Sequence, residues 1–199
     1  MNKNVIVILK AVVWGACLFP FGWLVYGALT NQLGADQTAA ITFVTGKTAL
    51  WTLMVSLAIT PVRQLSPRLN WLIKFRRLIG LFAFFYATLH LLTYIGLYAS
   101  FDPNTIADDV TRRRFIFIGV AAWLILLPLA ATSTNWAIRK LSGKRWALLH
   151  KAVYFAALAG VIHYWWGVKP GVRTPLLVTV VFVVLMAARP ALKLIKRTR

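Results

Sequence analysis

Six stretches of this 199-residue chain are apolar and long enough to cross a bilayer, and only short connections separate them. That pattern leaves few folds open. Lipid offers no hydrogen-bond partners, so a spanning segment must satisfy its own backbone as a helix or within a closed barrel. Barrel strands read as about ten alternating residues, whereas these runs are nearly continuous. The expectation is therefore all-α: one integral-membrane domain over residues 1–199, a bundle of six transmembrane helices. The spans fall near Ile6–Leu29, Phe43–Val62, Leu78–Tyr98, Phe115–Ser133, Ala147–Gly167 and Pro175–Ala188. The first is too long for a signal-peptide core and no small-residue cleavage site follows it, so it reads as a retained helix. Composition agrees: 60% of residues are hydrophobic and the mean hydropathy is +0.72.

The net charge of +19 would usually suggest nucleic acid. Here the basic residues cluster between apolar runs, which is what membrane topology requires, so no nucleic-acid partner is expected. The tails and the second and fourth connections carry sixteen basic residues, among them Arg63, Arg68, Lys74, Arg76, Arg77, Arg139, Lys140, Lys144, Arg145 and Arg189. The other connections carry five (Arg112, Arg113, Arg114, Lys169 and Arg173) together with all four acids, Asp36, Asp102, Asp108 and Asp109. This asymmetry places both termini in the cytoplasm. Lys47 and Lys151 are expected near helix ends, where they can snorkel. Within the third connection, Thr105–Arg114 is expected to form a short interfacial helix, with Asp108 and Asp109 early and the arginines late. Cys17, the single cysteine, supports neither a disulfide nor a metal cluster.

The chain has three histidines, His90, His150 and His163, and all lie inside the spans. Ionisable side chains in a membrane are costly and mark functional sites by default. At 1.5 Å per residue, His90 lies about 18 Å and His163 about 24 Å from the cytoplasmic ends of their helices, and His150 only about 5 Å. His90 and His163 can thus hold a haem between two helices, since imidazole is a common axial ligand. A second such haem would need a histidine at Arg76 or Arg77, facing His150, and the chain has none there, so His150 either gives one ligand to a second haem with a non-histidine partner or serves another role. Arg76 and Arg77 can instead pair with haem propionates or with a flavin or quinone head group, or serve as topology anchors. His150 and His163, thirteen residues apart, diverge by about 140° on an ideal helix, so sharing a face requires a bend or bulge. The plainer alternative is three structural histidines bonding across helices. With no glutamate, no carboxylate pair and no phosphate loop, nothing resembles a soluble catalytic centre.

The motifs resemble one family in particular. Arg76-Arg77-Leu78-Ile79-Gly80-Leu81, Tyr86, Leu89-His90 and Tyr94 are similar to the third-helix signature of the MsrQ (YedZ) proteins. Gly143-Lys144-Arg145-Trp146, Leu149-His150-Lys151, Tyr154 and His163-Tyr164-Trp165 are similar to its fifth-helix signature. Thr45-Gly46, Thr60-Pro61 and Leu129-Ala130-Ala131-Thr132-Ser133 follow the same pattern. The resemblance implies a ferric-reductase-like membrane subunit with b-type haem, an association with FMN, and His90, His150 and His163 as the family's histidines. It implies electron delivery to MsrP, a periplasmic molybdopterin reductase of methionine sulfoxide. The donor would be the quinol pool or a cytosolic flavin reductase, and the site the bacterial inner membrane. Two other readings remain: a self-contained ferric or quinone reductase, and a haem-free assembly protein.

Overall fold

The computed structural model describes residues 3–167 and 173–197. Lys169 and Arg199, counted above for topology, lie outside them. The described elements are helical: α1 (Lys3–Leu29), α2 (Gln37–Leu65), a 3-10 segment (Pro67–Leu72) leading into α3 (Ile73–Thr93), a π turn (Tyr94–Tyr98), α4 (Pro103–Arg112), α5 (Arg114–Ala131), α6 (Asn135–Leu141), α7 (Gly143–Leu149), a 3-10 turn (His150–Ala152), α8 (Val153–Gly167) and α9 (Arg173–Arg197). Six of the resulting rods are long and apolar enough to span a membrane. Helices run further than the apolar runs do. Lys74, Arg76 and Arg77, assigned above to a loop, lie in α3, and Arg189 lies in α9 rather than in a tail. Lys47 is not at a helix end; it sits ten residues into α2, exposed, with its ammonium 5.4 Å from the Phe43 ring centre.

The core lies among α2, α3, α5, α8 and α9. Leu50, Leu53, Met54 and Leu57 of α2 meet Ala83, Leu126, Leu129, Ala156, Ala157, Val161 and Val178. Lipid tails are as apolar as leucine, so membrane helices associate through close packing, which small residues allow. Ala83, Ala156 and Ala157 are nearly inaccessible, and a Cβ on Gly160 would stand 3.3 Å from the Leu50 side chain. Large side chains instead face outward, as Phe19, Leu29 and Phe155 do.

Prolines inside these helices free backbone groups, and side chains from neighbouring helices satisfy them. Pro61 removes the N–H that would bond the Leu57 carbonyl, and Arg189 Nη2 donates to that carbonyl at 2.7 Å. In α1, beside Pro20, the Tyr86 hydroxyl enters the backbone ladder. It accepts from Phe21 N–H at 3.1 Å and donates to the Cys17 carbonyl at 2.5 Å, two groups that would otherwise bond each other. Tyr86 is fully buried, whereas α1 buries only Leu24 and Gly27. This wedge is therefore a main attachment of α1, with the Trp14–Phe82 and Phe21–Phe85 edge contacts.

The third connection does form a helix, two residues earlier than Thr105. Asp102 caps it, accepting from Asn104 and Thr105 N–H at 3.1 Å each, and Pro103 follows at the first helical position. Those bonds, led by the one from the Thr105 hydroxyl, hold the Asp102 carboxyl below its ordinary pKa. The shift of register moves Asp108 and Asp109 into the second half of α4, against the dipole expectation. They pair with Arg112 and Arg113 one turn on instead. Asp109 is buried, and it also accepts from the Tyr94 hydroxyl at 2.9 Å, tying α4 to the π turn.

Candidate functional site

His90 and His163 reach each other from α3 and α8, with ring centres 5.8 Å apart and planes at 80°. A metal–imidazole bond of about 2 Å on each side, plus about 1 Å from each nitrogen to its ring centre, separates two axial imidazoles by about 6 Å. The observed separation fits that value. Among the described residues no three metal-ligating side chains cluster, so a bare tetrahedral ion has too few ligands. Two nitrogens alone suit a metal whose other ligands come with a macrocycle.

Backbone carbonyls fix the chemistry of both rings. His163 Nδ1 lies 2.6 Å from the Phe115 carbonyl oxygen, and His90 Nδ1 lies 3.0 Å from that of Thr42. A carbonyl only accepts, so each Nδ1 carries the proton and each Nε2 keeps a free lone pair. Metal-bound histidines are generally oriented in this way. Thr45 Oγ1 stands 3.4 Å from the same His90 nitrogen. Behind each ring is a glycine. A Cβ at Gly119 would stand 2.7 Å from His163 Nδ1, and one at Gly46 would stand 2.9 Å from His90 Cε1. Any side chain there would occupy the space the imidazole uses.

His150 belongs to a different site. Its Nε2 is 3.1 Å from Thr132 Oγ1, and its ring stacks on Trp146 at 4.0 Å. Trp146 donates to the Thr132 carbonyl at 2.9 Å, which locks the group together. A 3-10 turn begins at His150 itself and overwinds the helix there. At 3.0 residues per turn, its three residues add about 60° and reduce the divergence from His163 to roughly 80°.

His150 lines a cavity of about 460 Å³ at the basic end of the bundle, a size typical of small-molecule sites. Arg76, Arg77, Lys151, Phe84 and Tyr154 also line it. The structure therefore brings Arg76 and Arg77 together with His150, and none of the three with the His90–His163 pair. The Arg77 guanidinium donates to Asn135 at 2.7 Å, and the Ser56 hydroxyl donates to the Arg76 carbonyl at 3.0 Å. Of the Arg112–Arg114 cluster, the first two are held by Asp108 and Asp109.

Gly119, Phe115 and Thr42 were not legible as site residues, because they act through a missing side chain or a carbonyl, which leaves no mark in residue type. Trp146 was legible only as part of the fifth-helix signature, with no contact to His150 assigned to it.

The sequence profile described as "Ferric reductase like transmembrane component" matches residues 45–161. A protein of Herminiimonas arsenicoxydans is 48% identical over 80% of this chain and 72% of its own length. One from Rhodospirillum rubrum is 45% identical over 90% of the chain and 86% of its own length. One from Xanthomonas oryzae pv. oryzae is 40% identical over 96% and 90%. Each bears the name protein-methionine-sulfoxide reductase heme-binding subunit MsrQ. No solved structure matches the chain.

Proposed function

This chain belongs to the MsrQ family of ferric-reductase-like transmembrane proteins, and on that basis we propose that it is a b-type cytochrome subunit of a methionine sulfoxide reductase system. The observation that carries the reading is the facing His90–His163 pair, each ring with Nδ1 on a backbone carbonyl and Nε2 free. Haem iron held there supplies a one-electron carrier in the membrane. The chain's own contribution is positional. Phe115 and Thr42 set the two tautomers, Gly119 and Gly46 admit the rings, and the surrounding apolar helices exclude water.

In this reading both termini are cytoplasmic and the single membrane domain lies in a bacterial inner membrane. His90 and His163 then occupy the outer half, near the acceptor, a periplasmic molybdopterin reductase of the MsrP type. The cavity lined by His150, Arg76 and Arg77 opens on the donor side. It is the place for FMN or a second haem, and for electrons from quinol or a cytosolic flavin reductase. The two cations suit a cofactor's phosphate or carboxylate, and the aromatic walls suit its ring.

The test is reconstitution in liposomes with a quinol and the reductase outside. Sulfoxide reduction that requires this subunit, and that is lost in His90→Ala and His163→Ala, is expected. Turnover of ferric chelate or quinone at the same rate without the reductase would favour the self-contained reductase instead. Protein that carries no haem when made in haem-replete cells would end the cytochrome reading.

A further inference from the structure

Arg189 is an arginine inside a membrane-spanning helix, and its structural duty uses only part of it. Nη2 bonds the Leu57 carbonyl that Pro61 leaves free, and the guanidinium lies 4.5 Å from the centre of the Tyr154 ring. Nε and Nη1 are buried and make no hydrogen bond of good geometry, although the Tyr154 hydroxyl lies close to the guanidinium. Unpaired charged donors in a dry environment are costly, so the arrangement calls for an acceptor.

Among the described residues the protein supplies no carboxylate for that role. All four of its acids are aspartates in the connections at the opposite end of the bundle. Arg189 does not itself line the basic-end cavity, but its guanidinium rests on a side chain that does. Tyr154 lines that cavity, and so does Ser56, the neighbour of Leu57, whose hydroxyl binds the Arg76 backbone. One short stretch of α2 thus holds Arg76 on one side and Arg189 on the other.

We propose that Arg189 is a third guanidinium, with Arg76 and Arg77, of a site that receives the carboxylate or phosphate of a planar ligand in this cavity. The inference rests on the reading of the cavity as a cofactor site and adds a recognition residue to it. A guanidinium suits the role because its fork of donors matches either anion. Haem propionate and flavin phosphate share this chemistry.

The test separates anion recognition from the capping of Leu57. Pro61→Ala restores the N–H that bonds the Leu57 carbonyl, which removes Arg189's structural duty. The full chain in detergent, with the His90–His163 site already filled with haem, is titrated with FMN against riboflavin, and with haemin against its dimethyl ester. In wild type and Pro61→Ala, one anionic probe is expected to bind about tenfold or more tighter than its uncharged twin, the size of a charge-assisted hydrogen bond. In Pro61→Ala/Arg189→Gln the preference falls below about threefold, and in Pro61→Ala/Arg189→Lys it is intermediate. A preference within the flavin pair identifies phosphate as the anion, and one within the haemin pair identifies carboxylate. An unchanged preference in both double variants overturns the role of Arg189 and leaves the cavity reading standing. If wild type binds neither anionic probe while its bis-histidine spectrum is complete, the cavity reading itself fails. That spectrum reports the fold of every variant.

Discussion

Gly119→Ala tests the His163 side of the site with a single methyl group. The added Cβ would lie 2.7 Å from His163 Nδ1 and 2.8 Å from Cε1. Ordinary non-bonded contact is about 3.5 Å, so the ring must retreat by about 0.8 Å or turn. Nδ1 begins 2.6 Å from the Phe115 carbonyl, and a displacement of that size stretches the bond to about 3.4 Å, past the useful limit of about 3.2 Å. A buried hydrogen bond left unmade costs about 1–3 kcal/mol, and changes to such supporting partners cost about 10–100-fold in metal affinity. The assay is titration of the apoprotein with haemin, followed by absorbance and by electron paramagnetic resonance. Gly119→Ala should bind 10–100-fold more weakly and show high-spin iron in place of the low-spin bis-imidazole signal. Gly15→Ala, where a Cβ meets nothing within 4 Å, is the control and should match wild type. Wild-type affinity and an unchanged low-spin signal in Gly119→Ala would refute the steric argument.

Gly46→Ala, with closest approaches of 2.9 and 3.0 Å to the His90 ring, should weaken haem in the same assay but less than Gly119→Ala. His150→Phe should leave the His90–His163 spectrum intact, because His150 lines a separate cavity; loss of all haem from a folded variant would contradict that separation. Tyr86→Phe removes the hydroxyl wedged into α1 and should lower stability by about 1 kcal/mol, read as a lower melting midpoint in detergent. Asp102→Ala should loosen the first turn of α4 through loss of its cap. Since the Asp102 pKa is lowered on folding, its contribution is complete above about pH 4 and disappears as pH falls through the lower folded value. Hydrogen exchange of α4 across that range would detect it, and an unchanged acid response in Asp102→Ala would contradict it.

The six spans are legible because apolar length is a property of residue type. The helix ends are less so. Arg76, Arg77 and Arg189 read as loop and tail anchors because charge suggests water, yet each is helical. Long basic side chains bury their stems and find partners, such as the carbonyl freed by Pro61, that lie far away in sequence. The two histidine sites are partly legible. Depth counting sets His90 beside His163 and His150 apart, whereas the angle between His150 and His163 on an ideal helix missed the 3-10 turn at His150. The carbonyls of Phe115 and Thr42 and the spaces at Gly119 and Gly46 are tertiary facts, since only helix packing decides which backbone a ring meets. The dipole reading of α4 failed because Asp102 and Pro103 fix the helix start earlier than the charges suggest.

Electron paramagnetic resonance of the oxidised, haem-replete protein, with haem quantified per chain, in wild type, His90→Ala and His163→Ala decides whether these two imidazoles hold the iron. A low-spin bis-imidazole signal is expected in wild type, disappearing in both variants and surviving in His150→Phe. A bis-imidazole signal that persists without either His90 or His163 would contradict that ligation.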